Sequence, residues 1–127
     1  MPTIVPVYAG LLGILFFWLS LRVSLTRLKG PASTDEAREN LRLAIRAQGN
    51  AAEYIPLGLI LLLVLEFQST PGWLLHLFGL LLLAGRVGHF IGFDLAPHRL
   101  LRQFSMVLTY AMFCFSSLAI LYFAVTG

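Results

Sequence analysis

The sequence predicts an all-α integral membrane protein, a four-transmembrane-helix bundle formed by a single domain over residues 1–127. Three observations predict it. Of the 127 residues 58% are hydrophobic and only 12% charged, whereas a soluble domain carries about 25% charged residues. The mean hydropathy is +0.84. Four apolar stretches reach the roughly 20 residues that a helix needs to cross a hydrocarbon core, with glycine, proline and charged residues between them. Helices are expected because they satisfy their own backbone hydrogen bonds in lipid.

The first helix is expected over about residues 4–25, broken by Gly30-Pro31. Met1-Pro2-Thr3 puts no basic residue ahead of the apolar run, so this segment reads as a retained helix rather than a signal peptide. The second is expected over about residues 34–67. Ser33-Thr34-Asp35-Glu36 resembles a capping box with Ser33 as N-cap, and Asp35, Glu36 and Glu39 suit a helix N-terminus. At 1.5 Å per residue this helix is roughly 50 Å long, so its charged first turns project into water. Pro56 removes one backbone donor and predicts a kink near residues 52–56. Pro71-Gly72 opens the third helix, expected over about residues 72–93, and residues 94–97 separate it from the fourth, over about 100–125.

All nine Lys and Arg fall around the first and third connections: Arg22, Arg27, Lys29, Arg38, Arg42 and Arg46, then Arg86, Arg99 and Arg102. The positive-inside rule places those connections in the cytoplasm and both termini on the opposite side. The net charge of +3 therefore reads as membrane flanking, and with no nucleic-acid-binding motif a nucleic-acid partner is not expected. Cys114 stands alone, which excludes an intramolecular disulfide, and lies among Phe113, Phe115 and Ser116 as a packing residue. No cysteine–histidine spacing suggests a metal.

Polar residues interrupt this pattern in three places. Arg46, Asn50 and Glu53 are spaced by four and three residues, share one helix face with Arg42 one turn earlier, and lead directly into the apolar run 57–65. Ionisable groups in a membrane helix mark a bundle interior or a ligand site. With Tyr54 they offer cations, an amide and a carboxylate, which suits a small zwitterionic anion. An interhelical salt-bridge cluster is the competing reading. Arg86-Val87-Gly88-His89 is the second group, with Arg86 as a site cation or a snorkelling side chain and His89 as a ligand group or a structural imidazole. Ala84, Gly88 and Gly92 form a small-residue face for close packing. Arg99 and Arg102 open the fourth helix. Arg99 reads as an interface anchor, whereas Arg102 precedes an uncharged run and can point inward to stabilise an anion. Arg22, deeper than Arg27, is a further pocket candidate, while Tyr8 and Tyr110 read as packing or interface residues and Trp73 and Tyr122 as a far-side aromatic belt.

The run Arg46-Ala47-Gln48-x-Asn50-x-x-Glu53-Tyr54-x-Pro56-Leu57 resembles the second-helix signature of the MAPEG proteins, membrane-associated proteins in eicosanoid and glutathione metabolism. Arg86-Val87-x-His89 with Arg102 resembles the third-to-fourth helix region of the microsomal prostaglandin E synthase branch. The similarity covers nearly the whole chain, and its length is that of small bacterial members, which implies a bacterial inner membrane. The resemblance implies a homotrimer with glutathione bound as cosubstrate between subunits. It implies that Arg46, Asn50, Glu53 and Tyr54 contact glutathione, that Arg102 sits by its thiol, and, more loosely, that Arg22 joins the site. Arg42, Arg86 and His89 complete the binding set. Arginines would hold the carboxylates, Glu53 the ammonium, and Arg102 would lower the thiol pKa. Three positions depart from the pattern: Phe93 stands where several members have a tyrosine, His89 replaces an aromatic hydroxyl, and Leu43 an arginine. The implied function is a glutathione-dependent transferase or peroxidase acting on lipophilic electrophiles or hydroperoxides at the bilayer. A non-catalytic scaffold or lipid-binding protein of the same fold is the alternative. A transporter is disfavoured, because no broken-helix pair or charged path crosses the membrane.

Overall fold

The computed structural model describes residues 1–92 and 98–127, and within them four antiparallel helices follow one another: α1 (Val5–Leu28), α2 (Asp35–Phe67), α3 (Gly72–Phe90) and α4 (Arg99–Thr126). Each is long and apolar enough to cross a membrane. α1 runs one turn beyond its expected end, to Leu28, where Gly30 adopts φ +100° and turns the chain into the first connection. Residues 91–92 continue α3 as one wider turn. Its expected end at Phe93 and the segment 94–97 lie outside the described residues.

The start of α2 corrects one expectation. Thr34, not Ser33, is the N-cap: its extended backbone stops the helix, and its hydroxyl accepts from the Ala37 N–H at 3.0 Å. Both residues satisfy the composition rule, and the one-residue choice follows from where the backbone enters the first turn. α2 then continues unbroken through Pro56.

α1 packs along α2, α3 along α4, and α2 also touches α3 and α4. Leu12, Leu62, Leu65, Leu82 and Met112 fill the centre with no exposed surface. The outer faces present Ile14, Phe17, Ile60, Leu80, Phe115 and Leu118, an apolar coat that suits lipid rather than water. Tyr8 is a packing residue: its ring lies where a Cβ on Gly79 would stand, 2.6 Å away, and its hydroxyl is 2.8 Å from His76 Nδ1.

α3 and α4 approach most closely along a glycine seam. A Cβ on Gly85 would meet Thr109 Oγ1 at 2.5 Å, and one on Gly88 would meet Ser105 Oγ at 2.4 Å. A Cβ on Gly92 would crowd Leu101 and Arg102 at 3.1 Å. The expected face of Ala84, Gly88 and Gly92 is corrected at its first member. Ala84 is exposed and Gly85 makes the contact, because the facing stripe drifts by three-residue as well as four-residue steps along a helix.

Candidate functional site

The polar residues gather at the end of the bundle that carries the first and third connections. Arg86 is the deepest. It is 2% exposed although it carries a charge. One Nη donates to Asn50 Oδ1 across to α2, and the other donates to Thr109 Oγ1 at 2.9 Å and lies 3.1 Å from Met106 Sδ. Thr109 passes its own proton to the Ser105 carbonyl at 3.2 Å. The guanidinium also lies 5.0 Å from the Tyr54 ring centre, within cation–π range. Tyr54 in turn meets Tyr110, hydroxyl to hydroxyl, at 3.5 Å.

Among the described residues every one of these Arg86 partners is neutral, and its Nε is buried with no partner. A buried cation held only by dipoles and a ring is costly, and its position favours an anion arriving nearby. His89 is 7% exposed, three residues further along the same helix. Three helices thus contribute Arg46, Arg86, His89 and Arg102 to the same end of the bundle.

Arg46, Gly49, Asn50 and Glu53 line a single surface hollow on α2. The helical spacing read from the sequence is realised, with Arg46 and Glu53 exposed and Asn50 half-buried. Among the described residues the side-chain ion pairs are Arg38–Asp35 and Arg42–Glu39, so Arg46 and Glu53 are not tied up in one. The hollow offers a cation, an amide and a carboxylate to whatever enters.

Two candidates stand apart from it. Arg42 grips Glu39 through two N–H donors, at 2.9 and 2.6 Å, on the exposed first turns of α2. There its hydrogen bonds hold the Glu39 carboxyl below the usual carboxylate range. Arg22 lies 5.7 Å from the Phe90 ring centre and lines a different cavity, under the first connection. Arg102 is half-buried at the start of α4. Phe93 lies outside the described residues.

Spacing along one helix reveals the Arg46 face but not the bonds from Arg86 to Asn50 and Thr109, which join residues on three helices. Thr109, Met106 and Ser105 were not recognisable as site residues. The one available signal was their recurrence every three or four residues on the face of α4 that also carries Arg102.

The chain matches the MAPEG family over residues 5–122. It is 40% identical over 96 residues to the inner membrane protein YecN of Escherichia coli strain K12, covering 75% of this chain and 71% of that protein. The same identity and coverage hold for YecN of the O6:H1 strain CFT073. No solved structure matches the chain. A four-helix membrane bundle, a polar cluster at one end and a family match along almost its full length agree, and the chain belongs to the MAPEG family.

Proposed function

We propose that the protein is a membrane-bound, glutathione-dependent transferase or peroxidase acting on lipophilic electrophiles or hydroperoxides. The observation that carries this reading is the buried Arg86, whose partners among the described residues are neutral, at the same bundle end as a hollow lined by both Arg46 and Glu53. Glutathione presents two carboxylates, an ammonium and a thiol. Arg46 suits a carboxylate and Glu53 the ammonium, seven residues apart on one helix and so roughly 10 Å along its axis. Asn50, oriented by Arg86, keeps its amide N–H groups for the peptide.

Arg102 is the group we assign to the thiol. A cation beside sulfur favours the thiolate, and the thiolate is the nucleophile. In conjugation the sulfur forms a bond to carbon as the leaving group departs with its electron pair. In peroxide reduction the thiolate attacks one peroxide oxygen and keeps it as a sulfenic acid, the O–O bond breaks and the alkoxide leaves as an alcohol, and a second glutathione thiol then attacks the sulfenic sulfur to give the disulfide and water. A lipid-soluble electrophile reaches such a site along the bilayer. Homotrimeric assembly, carried from the family resemblance, belongs to this proposal.

One observation favours a second reading, a scaffold without catalysis: Arg86 uses Asn50 and Tyr54 to join α2 to α3, so part of the motif serves the fold. Calorimetric titration of detergent-purified protein with glutathione separates the two. The transferase reading expects saturable binding that Glu53→Gln weakens while the oligomer mass stays unchanged. No binding by an intact wild-type oligomer would refute it. Arg102→Ala is expected to lower turnover by about 100-fold, the scale of one lost oxyanion-type contact, with a smaller effect on affinity.

A further inference from the structure

The chain has three methionines, in three different settings. Met1 is fully exposed at the start of the chain, and Met112 has no exposed surface in the bundle core. Met106 is half-buried on α4, at the edge between core and surface. Gln103 and Tyr110, three residues before it and four after, are exposed, whereas Thr109, three after, is buried. Residues at these spacings neighbour one another on a helix, so Met106 has one flank against the core and one toward the bilayer. Phe104, Val107 and Tyr110 present apolar and aromatic surface to lipid at the same level.

On the core flank the sulfur meets a charge. Met106 Sδ lies 3.1 Å from the Arg86 Nη that also donates to Thr109 Oγ1 at 2.9 Å. A thioether is a weak acceptor. Of the three side chains that receive an Arg86 N–H, those of Asn50, Thr109 and Met106, the sulfur is the poorest match to a charged donor. One N–H engages one lone pair of the sulfur, and the second lone pair is left for an oxidant. Methionine oxidises to the sulfoxide, which turns a flexible apolar side chain into a polar one and ordinarily disrupts a core. Here the new oxygen would have a cationic donor beside it, and hydrogen bonds to ionised groups are roughly twice as strong as neutral ones. The unbranched side chain is flexible enough to bring that oxygen round to the guanidinium.

We propose that Met106 is an oxidation site for hydroperoxides dissolved in the bilayer, and that its sulfoxide clasps α4 to α3 through Arg86. The free sulfur lone pair attacks the terminal peroxide oxygen. An S–O bond forms as the O–O bond breaks, and the hydroperoxide proton passes to the departing alkoxide, so thioether and hydroperoxide give sulfoxide and alcohol. Sulfur loses two electrons and the peroxide gains them. Return to the thioether needs a methionine sulfoxide reductase. Met112 is closed off in the core, and Met1 lies outside the membrane-spanning helices. The hydroperoxide arrives from the lipid, so the site works whether or not the glutathione reading holds.

The test uses the full-length protein in nanodiscs, with Cys114→Ser to remove the competing exposed thiol. It is treated with cumene hydroperoxide, and sulfoxide at each methionine is followed by peptide mass spectrometry. Met106 is expected to oxidise about tenfold faster than Met112, because susceptibility follows exposure. The melting temperature of the oxidised protein is expected to rise. Met106→Leu, a volume-conserving swap, removes the sulfur and should show no such shift on treatment, which separates the clasp from oxidation at Met1. Oxidation of Met1 with Met106 unmodified overturns the proposal, as does Met112 oxidising as fast as Met106. So does a melting temperature that oxidation leaves unchanged or lowers, or one that rises equally in Met106→Leu.

Discussion

At the residue scale Arg86 organises the polar end of the bundle. It is 2% exposed, and among the described residues its charge meets Asn50, Thr109, Met106 and the Tyr54 ring. Removing one acceptor leaves a buried donor unpaired, which costs about 1–3 kcal/mol. Thr109→Val, nearly isosteric, is therefore expected to lower the unfolding free energy by about that amount, measured by detergent-dependent melting. A wild-type melting curve would show that the 2.9 Å bond contributes nothing. Asn50→Asp separates fold from function at the same place. A carboxylate opposite Arg86 compensates the buried charge, so stability should not fall. The same carboxylate repels a glutathione carboxylate, so affinity should drop by about tenfold, near 1.4 kcal/mol. Calorimetry and melting on one preparation check both halves, and a loss of stability with unchanged affinity would contradict them.

Glu66 and the glycine seam act at the scale of the element. α1 begins at Val5 with Ile4 as N-cap and no capping side chain of its own. The carboxylate of Glu66, at the end of α2, accepts from the Thr3, Ile4 and Val5 N–H groups, the last two at 2.8 and 2.7 Å. A carboxylate at a helix N-terminus satisfies open donors and complements the dipole. Glu66→Gln is expected to cost about 1–2 kcal/mol, since the group is half-exposed, and to loosen α1 first, as amide exchange over its first turn would register. Gly85→Ala pushes a methyl against Thr109 Oγ1 and within 3.0 Å of the Ser105 carbonyl. Overpacking of this kind costs about 1–3 kcal/mol, and here it also displaces the acceptor of Arg86, so melting temperature and glutathione affinity should fall together.

Element existence was legible in the sequence because each helix is a long apolar run with punctuation at its ends. Boundaries moved by one to three residues where two residues could do the same job, as Ser33 and Thr34 both could. The Arg46, Asn50 and Glu53 face was legible because helical spacing alone brings it together. The partners of Arg86, the Glu66 cap on α1 and the assignment of Arg22 to a separate cavity were not. Each depends on which helix faces which, and a periodicity on one helix contains no information about its neighbour's register.

At the scale of the whole molecule, charge asymmetry ties orientation to chemistry. All nine Lys and Arg belong to the end with the first and third connections, and the turn from Glu66 to Trp73 has none. Basic residues near helix ends are retained in the cytoplasm, so the proposed glutathione site should open there. That compartment keeps glutathione as a reduced thiol, while the periplasm is oxidising. Cysteine accessibility decides the matter. In a Cys114→Ser background, Lys29→Cys and Ser69→Cys place a thiol at an exposed position on each end. A membrane-impermeant maleimide should label Ser69→Cys on spheroplasts and Lys29→Cys only in inverted vesicles. The opposite pattern would put Arg46, Glu53 and Arg102 on the oxidising side, where the thiol pool is held as disulfide and Arg102 has no thiolate to stabilise. The thiol-transfer reading would not survive that result.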